Sequence, residues 1–189
     1  MKDLIESRIS SEKIYSGDLL KVRKDTVSLP NGSTSTREYI RHPGAVVILP
    51  LLKKWEILLI RQFRYPVGCI EVEIPAGKID PGEKPIDAVN RELEEETGYR
   101  SSKITLLQEI HPCIGYSDER MWLYLAEDLE EGKIGGDEDE FIESIPTTLD
   151  NALKMIYNGK ITDVKAITGL FWADKLRRKE WEIPKRQKS

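Results

Sequence analysis

Between positions 77 and 99 the chain reads GKIDPGEKPIDAVNRELEEETGY, and no other stretch restricts its folding so tightly. Pro85 suits the first helical position, where a missing N–H costs nothing, and Gly98 can take the left-handed stop that other residues resist. The spacing therefore predicts a helix between them. On it Glu92 and Glu96 stand four residues apart and Glu95 three from Glu92, so their carboxylates gather on one side. Ile86, Val89 and Leu93 fall roughly 100° away by the 3.6-residue period, giving one stripe to bury and another to offer to a cleft. Crowded carboxylates repel, and a hard divalent cation with oxygen ligands is the usual relief. Arg91, four residues before Glu95, is placed to brace a carboxylate with a forked hydrogen bond, while Gly77 and Gly82 let the preceding loop approach the helix. An isolated acidic run is ordinarily a solvated helix face, so the remaining positions of the segment decide its meaning.

Around that segment the chain alternates strand and turn signals before ending in helices. Positions 12–42 carry short β-prone runs at 13–15, 19–22, 26–29 and 38–41, broken by turn clusters at Ser16-Gly17 and at 30–33, which predicts a small antiparallel sheet. Two strongly apolar runs, 45–52 and 55–65, predict core strands with Lys53-Lys54 as their turn. IEVEIPAG, 70–77, sets Glu71 and Glu73 between apolar neighbours as in a half-buried strand, and Asp80-Pro81-Gly82 supplies turn chemistry. Further strands are expected at 104–111, 121–126 and 141–145, an acidic loop at 135–140, and helices at 149–157 and 163–178.

The 189 residues, 39% hydrophobic and 33% charged, suffice for one catalytic core with a small extra sheet. A formal charge of −4 argues against nucleic acid as a partner, so a polyanionic substrate would be held by bound metal and a few placed arginines. The two cysteines, Cys69 and Cys113, make no disulfide framework and fit a reducing cytoplasm. Early charges at Lys2, Asp3, Glu6 and Arg8 interrupt any signal peptide, and the longest apolar run, near 45–52, is too short to span a bilayer, so no membrane association is expected. His42 and His111 lack zinc-ligand spacing, no P-loop or nucleophile elbow is present, and the four tryptophans are scattered as core residues are.

At every defining position the 77–99 segment resembles the Nudix box: glycine, five residues, glutamate, seven residues, Arg-Glu, an aliphatic, any residue, Glu-Glu, any residue, glycine, an apolar residue. Gly77, Glu83, Arg91, Glu92, Leu93, Glu95, Glu96, Gly98 and Tyr99 fill them in turn. The resemblance implies an α/β (α+β) fold, an α/β/α sandwich around a mixed sheet, with the box as a loop-helix-loop binding Mg²⁺ or Mn²⁺. It divides the chain into an N-terminal antiparallel region, 1–42, and a catalytic domain, 43–189. By position Glu92, Glu95, Glu96 and the backbone carbonyl of Ala76 are the implied metal ligands, with Glu83 and Arg91 as supports.

Nearly the whole chain is similar to the ADP-ribose pyrophosphatase branch, through REYIRHPGAVVILPL, RQFRYPVGCIEVEIPAGKID, DEDEFIES and ALKMIYNGKITD. That likeness implies Arg64 on the diphosphate and Glu73 on the substrate or a nearby water. It places the catalytic base on Glu138 of the acidic loop, with Glu140 as its competitor and Glu119 assisting a metal or the water. It also implies a homodimer through the N-terminal sheet, with Arg37 stacking on the base. ADP-ribose or a related nucleotide sugar would be split into a nucleoside monophosphate and a sugar phosphate. Two departures bear on substrate: Ile114 stands where the branch carries proline, and Tyr116 stands near a tyrosine typical of diadenosine polyphosphate hydrolases. A dinucleoside polyphosphate hydrolase, or a silent nucleotide-binding domain, is the alternative.

Overall fold

The computed structural model describes residues 4–132, 135 and 141–184. The chain divides into two compact units, Met1–Gly44 with His111–Arg120, and Ala45–Ile110 with Met121–Ser189. The first holds β1 (Ser7–Ser16), β2 (Lys21–Ser28) and β3 (Thr34–Arg41) as an antiparallel sheet in that order. Its turns fall at the predicted clusters, and four short runs merge into three strands because cross-strand pairing extends each one beyond its local signal. Loop 111–120 joins this unit through a parallel bridge of Ile40 with Ser117 and an ion pair of Arg41 with Asp118 at 2.8 Å.

The second unit contains two sheets. β4 (Ala45–Pro50), β7 (Ala76–Lys78), β8 (Tyr99–Ile110) and β9 (Met121–Glu131) form one, ordered β7-β4-β9-β8, with β4 and β9 parallel and the rest antiparallel. β5 (Glu56–Arg64), β6 (Cys69–Glu73) and β10 (Glu143–Thr148) form the other, ordered β10-β5-β6. Every residue of β4 is buried, as expected of a strand covered on both faces. Its alternate residues separate two cores. Val46 and Ile48 pack with Ala88, Val89 and Leu93 of α1 (Pro85–Thr97). Val47 and Leu49 pack with Ile57 and Leu59 of β5 and with residues of α2 (Leu149–Tyr157) and α3 (Val164–Arg177). Helix, sheets and helices thus make the expected α/β/α sandwich around a mixed sheet.

Two local expectations need correction. Lys53-Lys54 does lie in a turn, a single 3-10 turn at Lys53–Trp55, but the strands it joins enter different sheets. Likewise 70–77 is not one strand. Ile74-Pro75 separates β6 from β7, since proline offers no N–H to a ladder, and the chain steps across to the other sheet there, with the Pro75 carbonyl accepting from Ile48 N–H at 2.8 Å.

Candidate active site

Helix α1 begins at Pro85 and ends at Gly98, whose φ of 75° is the left-handed cap and whose N–H donates to the Glu94 carbonyl at 2.8 Å. Arg91 organises the polar side of this helix. Its Nε and Nη2 form a forked pair with Glu83 at 3.0 and 2.9 Å, Nη1 donates to Glu92 at 2.7 Å and to Glu95 at 3.0 Å, and Nη2 also reaches the Lys78 carbonyl at 3.0 Å. The fork expected for Glu95 therefore goes to Glu83, and one guanidinium ties loop to helix. The hydrogen bond from Arg91 holds the Glu83 carboxyl below its ordinary range, and the bond to Glu83 raises Arg91. Glu83 Oε2 also accepts from Asp80 N–H at 3.0 Å, which closes the loop.

Gly77 passes so close to α1 that a Cβ there would overlap the Glu92 carboxylate carbon and both its oxygens. Glu96, 9% exposed, turns inward on the buried side of the helix, where its Oε2 accepts from Ala76 N–H at 3.0 Å. Ala76, whose carbonyl was the implied ligand, meets Glu96 through its amide. Along the outer side of α1, Asn90, Arg91, Glu94 and Glu95 face Arg100 and Ser101 across a cleft of about 660 Å³.

A second charged group lies where β5, β6 and α3 meet. Arg64 grips Glu73 with Nε at 2.6 Å and Nη2 at 2.8 Å, and Lys165 Nζ bonds the Glu73 Oε2 and sits 3.0 Å from Asp163 Oδ1. Glu73 is only 2% exposed, so alternation along β6 turns its carboxylate inward while Ile70, 60% exposed, faces out. Burial alone would raise the Glu73 carboxyl, but the hydrogen bond from Arg64 and the charge of Lys165 outweigh it and hold the group below its ordinary value of 4.5. A carboxyl depressed in the folded state contributes stability that is present above its unfolded value and lost as pH falls through the folded one. Glu73→Gln should therefore cost roughly 3 kcal/mol near neutral pH, and the difference from the unaltered protein should shrink as pH falls below the ordinary carboxyl value of 4.5. Urea unfolding of both proteins across that range checks it; a gap that stays constant in acid refutes the assignment.

Residues 41–162 match the NUDIX domain, and residues 6–40 match the nucleoside diphosphate sugar hydrolase N-terminal domain. The chain is a Nudix hydrolase. It is 42% identical over 167 residues to an ADP-ribose pyrophosphatase of Bacillus subtilis (strain 168), covering 87% of this chain and 90% of the relative. It is 43% identical over 164 residues to a methanol dehydrogenase activator of Bacillus methanolicus, covering 86% and 89%. A crystal structure of an ADP compounds hydrolase, 24% identical, superimposes with a TM-score of 0.85 over 95% of this chain and 98% of that one, and shows the same fold.

Nudix hydrolases generally depend on divalent metal. Among the described residues no three His, Cys, Asp or Glu side chains converge to hold an ion, because Arg91 holds Glu92 and Glu95 and the Ala76 amide holds Glu96. The donor chemistry nevertheless fits, since the box supplies hard carboxylate oxygens and a glycine that leaves room for one of them against the strand. Of the other residues implicated by the Nudix likeness, Arg37 and Glu119 belong to the first unit. Arg37 is engaged by Glu6, with Nε at 2.9 Å and Nη2 at 2.5 Å, and by Ser35 and Thr36. Glu119 lies 3.8 Å from His42 Nδ1. Glu138 and Glu140 lie outside the described residues. Lys165 was missed from sequence, although a signal existed: the helical period places it on one face with Gly169 and Ala173, all buried, and a lysine there requires a buried carboxylate.

Proposed function

We propose that the chain hydrolyses the diphosphate of ADP-ribose or a related nucleoside diphosphate sugar, releasing a nucleoside monophosphate and a sugar phosphate. The observation that carries this reading is that α1 carries Glu92, Glu95 and Glu96, with Gly77 leaving room for the Glu92 carboxylate and the Arg64 guanidinium presented by β5 of the same unit. The names of the similar enzymes point the same way.

Glu92, Glu95, Glu96 and the Ala76 carbonyl would hold Mg²⁺ or Mn²⁺, which offsets negative charge on the diphosphate and raises the acidity of water. Arg64 binds the diphosphate and stabilises charge as it builds there, held in place by Glu73 from beneath. Glu138, with Glu140 as its competitor, takes one proton from the attacking water as that oxygen bonds to phosphorus and the bridging P–O bond breaks. Glu119 assists this water, Arg37 stacks on the base, and Glu83 and Arg91 keep loop and helix in register. The working form is a homodimer in the cytoplasm. β1 is exposed along all ten residues, with Ile9, Ile14 and Tyr15 more than half exposed, an edge that a second copy would cover.

A substrate panel tests the reading: ADP-ribose, GDP-mannose, UDP-glucose, dinucleoside polyphosphates and nucleoside triphosphates, each with and without Mg²⁺. The expected result is metal-dependent formation of AMP and ribose 5-phosphate. ATP released from a dinucleoside polyphosphate as the fastest reaction would replace the substrate assignment, and no turnover of any compound would overturn it.

A further inference from the structure

We propose that Lys165, in the first turn of α3, is a positioning residue for substrate binding, holding the Arg64 guanidinium ready for a diphosphate by acting through Glu73. This rests on the reading that Arg64 binds that group. Lys165 is 8% exposed, and its ammonium lies between Glu73 on β6 and Asp163, the cap of α3, whose Oδ2 accepts from Ala166 N–H at 2.9 Å. A buried ammonium persists only with such partners.

The consequence for Arg64 is geometric. Glu73 occupies Nε and Nη2, so Nη1 is left without a hydrogen-bond partner among the described residues, on a side chain 40% exposed. With Asp163 the cluster holds two cations and two carboxylates, so the effect of Lys165 on Arg64 is one of position: it immobilises the carboxylate that sets the guanidinium plane. The segment carrying Lys165 is anchored a second time, through Thr162 Oγ1 donating to Glu71 Oε2 at 3.1 Å. Two neighbouring contacts on alternate residues of β6 thus fix the start of α3 against the strand whose Glu73 grips Arg64.

Lys165→Met, Lys165→Arg, Arg64→Gln, Glu73→Gln and the double variant Lys165→Gln/Glu73→Gln separate this role from simple neutralisation of a buried charge. KM and kcat for ADP-ribose at saturating Mg²⁺ are read with urea unfolding and with calorimetric ADP-ribose binding in EDTA. Lys165→Met should raise KM and weaken metal-free binding about tenfold while kcat per folded molecule changes less than about threefold, and Lys165→Arg should recover most of the loss. The double variant, which removes both buried charges and so remains foldable, should match Glu73→Gln alone, because one residue acts through the other. Loss of stability with KM unchanged, or effects of the two positions that multiply, would overturn the proposal. Unchanged KM and binding in Arg64→Gln would instead remove the underlying reading, and this proposal with it.

Discussion

Glu96→Gln should lower kcat for ADP-ribose by on the order of 10²–10³-fold at saturating Mg²⁺ while leaving the fold nearly unchanged. Glu96 is almost fully buried, and its Oε2 accepts from the Ala76 amide. The glutamine carbonyl can accept the same hydrogen bond, so the junction between β7 and α1 survives. What disappears is one negative charge from the helix face assigned to the cation, and a neutral amide oxygen is a much weaker ligand for a hard divalent ion. Two measurements are needed, steady-state rates over a Mg²⁺ titration and thermal unfolding. A variant with intact folding that turns over within about threefold of the unaltered enzyme would remove Glu96 from the metal site.

Gly77→Ala should be nearly as damaging to activity, for a different reason. The added methyl group would overlap the carboxylate of Glu92, which is the far end of a flexible side chain. The collision is therefore relieved by swinging the carboxylate aside and not by moving the strand, so the stability cost should stay below about 1 kcal/mol. A displaced ligand is costly to catalysis, since a shift near 1 Å can lower rates about a hundredfold. Arg91 holds the same carboxylate at 2.7 Å, so the change should also loosen the tie between loop and helix. Urea unfolding alongside kcat distinguishes the cases: equal losses of stability and rate would mean that the backbone had yielded, and no loss of rate would mean that Glu92 has no part in the chemistry.

The two variants probe features that differ in how far they could be read in advance. The limits of α1 were legible because Pro85 and Gly98 act locally, through a missing donor and a positive φ, whatever surrounds them. The helices expected at 149–157 and 163–178 are present, their starts capped by the side chains of Thr148 and Asp163. Strand partners were not. The runs at 45–52 and 55–65 look alike as apolar strands, and nothing local says that β4 runs parallel to β9 while β5 pairs with β6 and β10. The full burial of Glu73 was hidden for the same reason, because the second of its two compensating cations stands 92 residues further along the chain.

By itself the sequence determined the helix that carries the box carboxylates and its two ends, through residue spacing and backbone chemistry at one residue, and through its resemblance to the Nudix box it implied the family and the α/β/α class. Only the tertiary structure decided that Arg91 forks onto Glu83, that Glu96 turns inward to the Ala76 amide, and that Lys165 pairs with Glu73. Those contacts join different elements, and the burial that makes each ion pair necessary comes into being only when the sheets and helices close on one another.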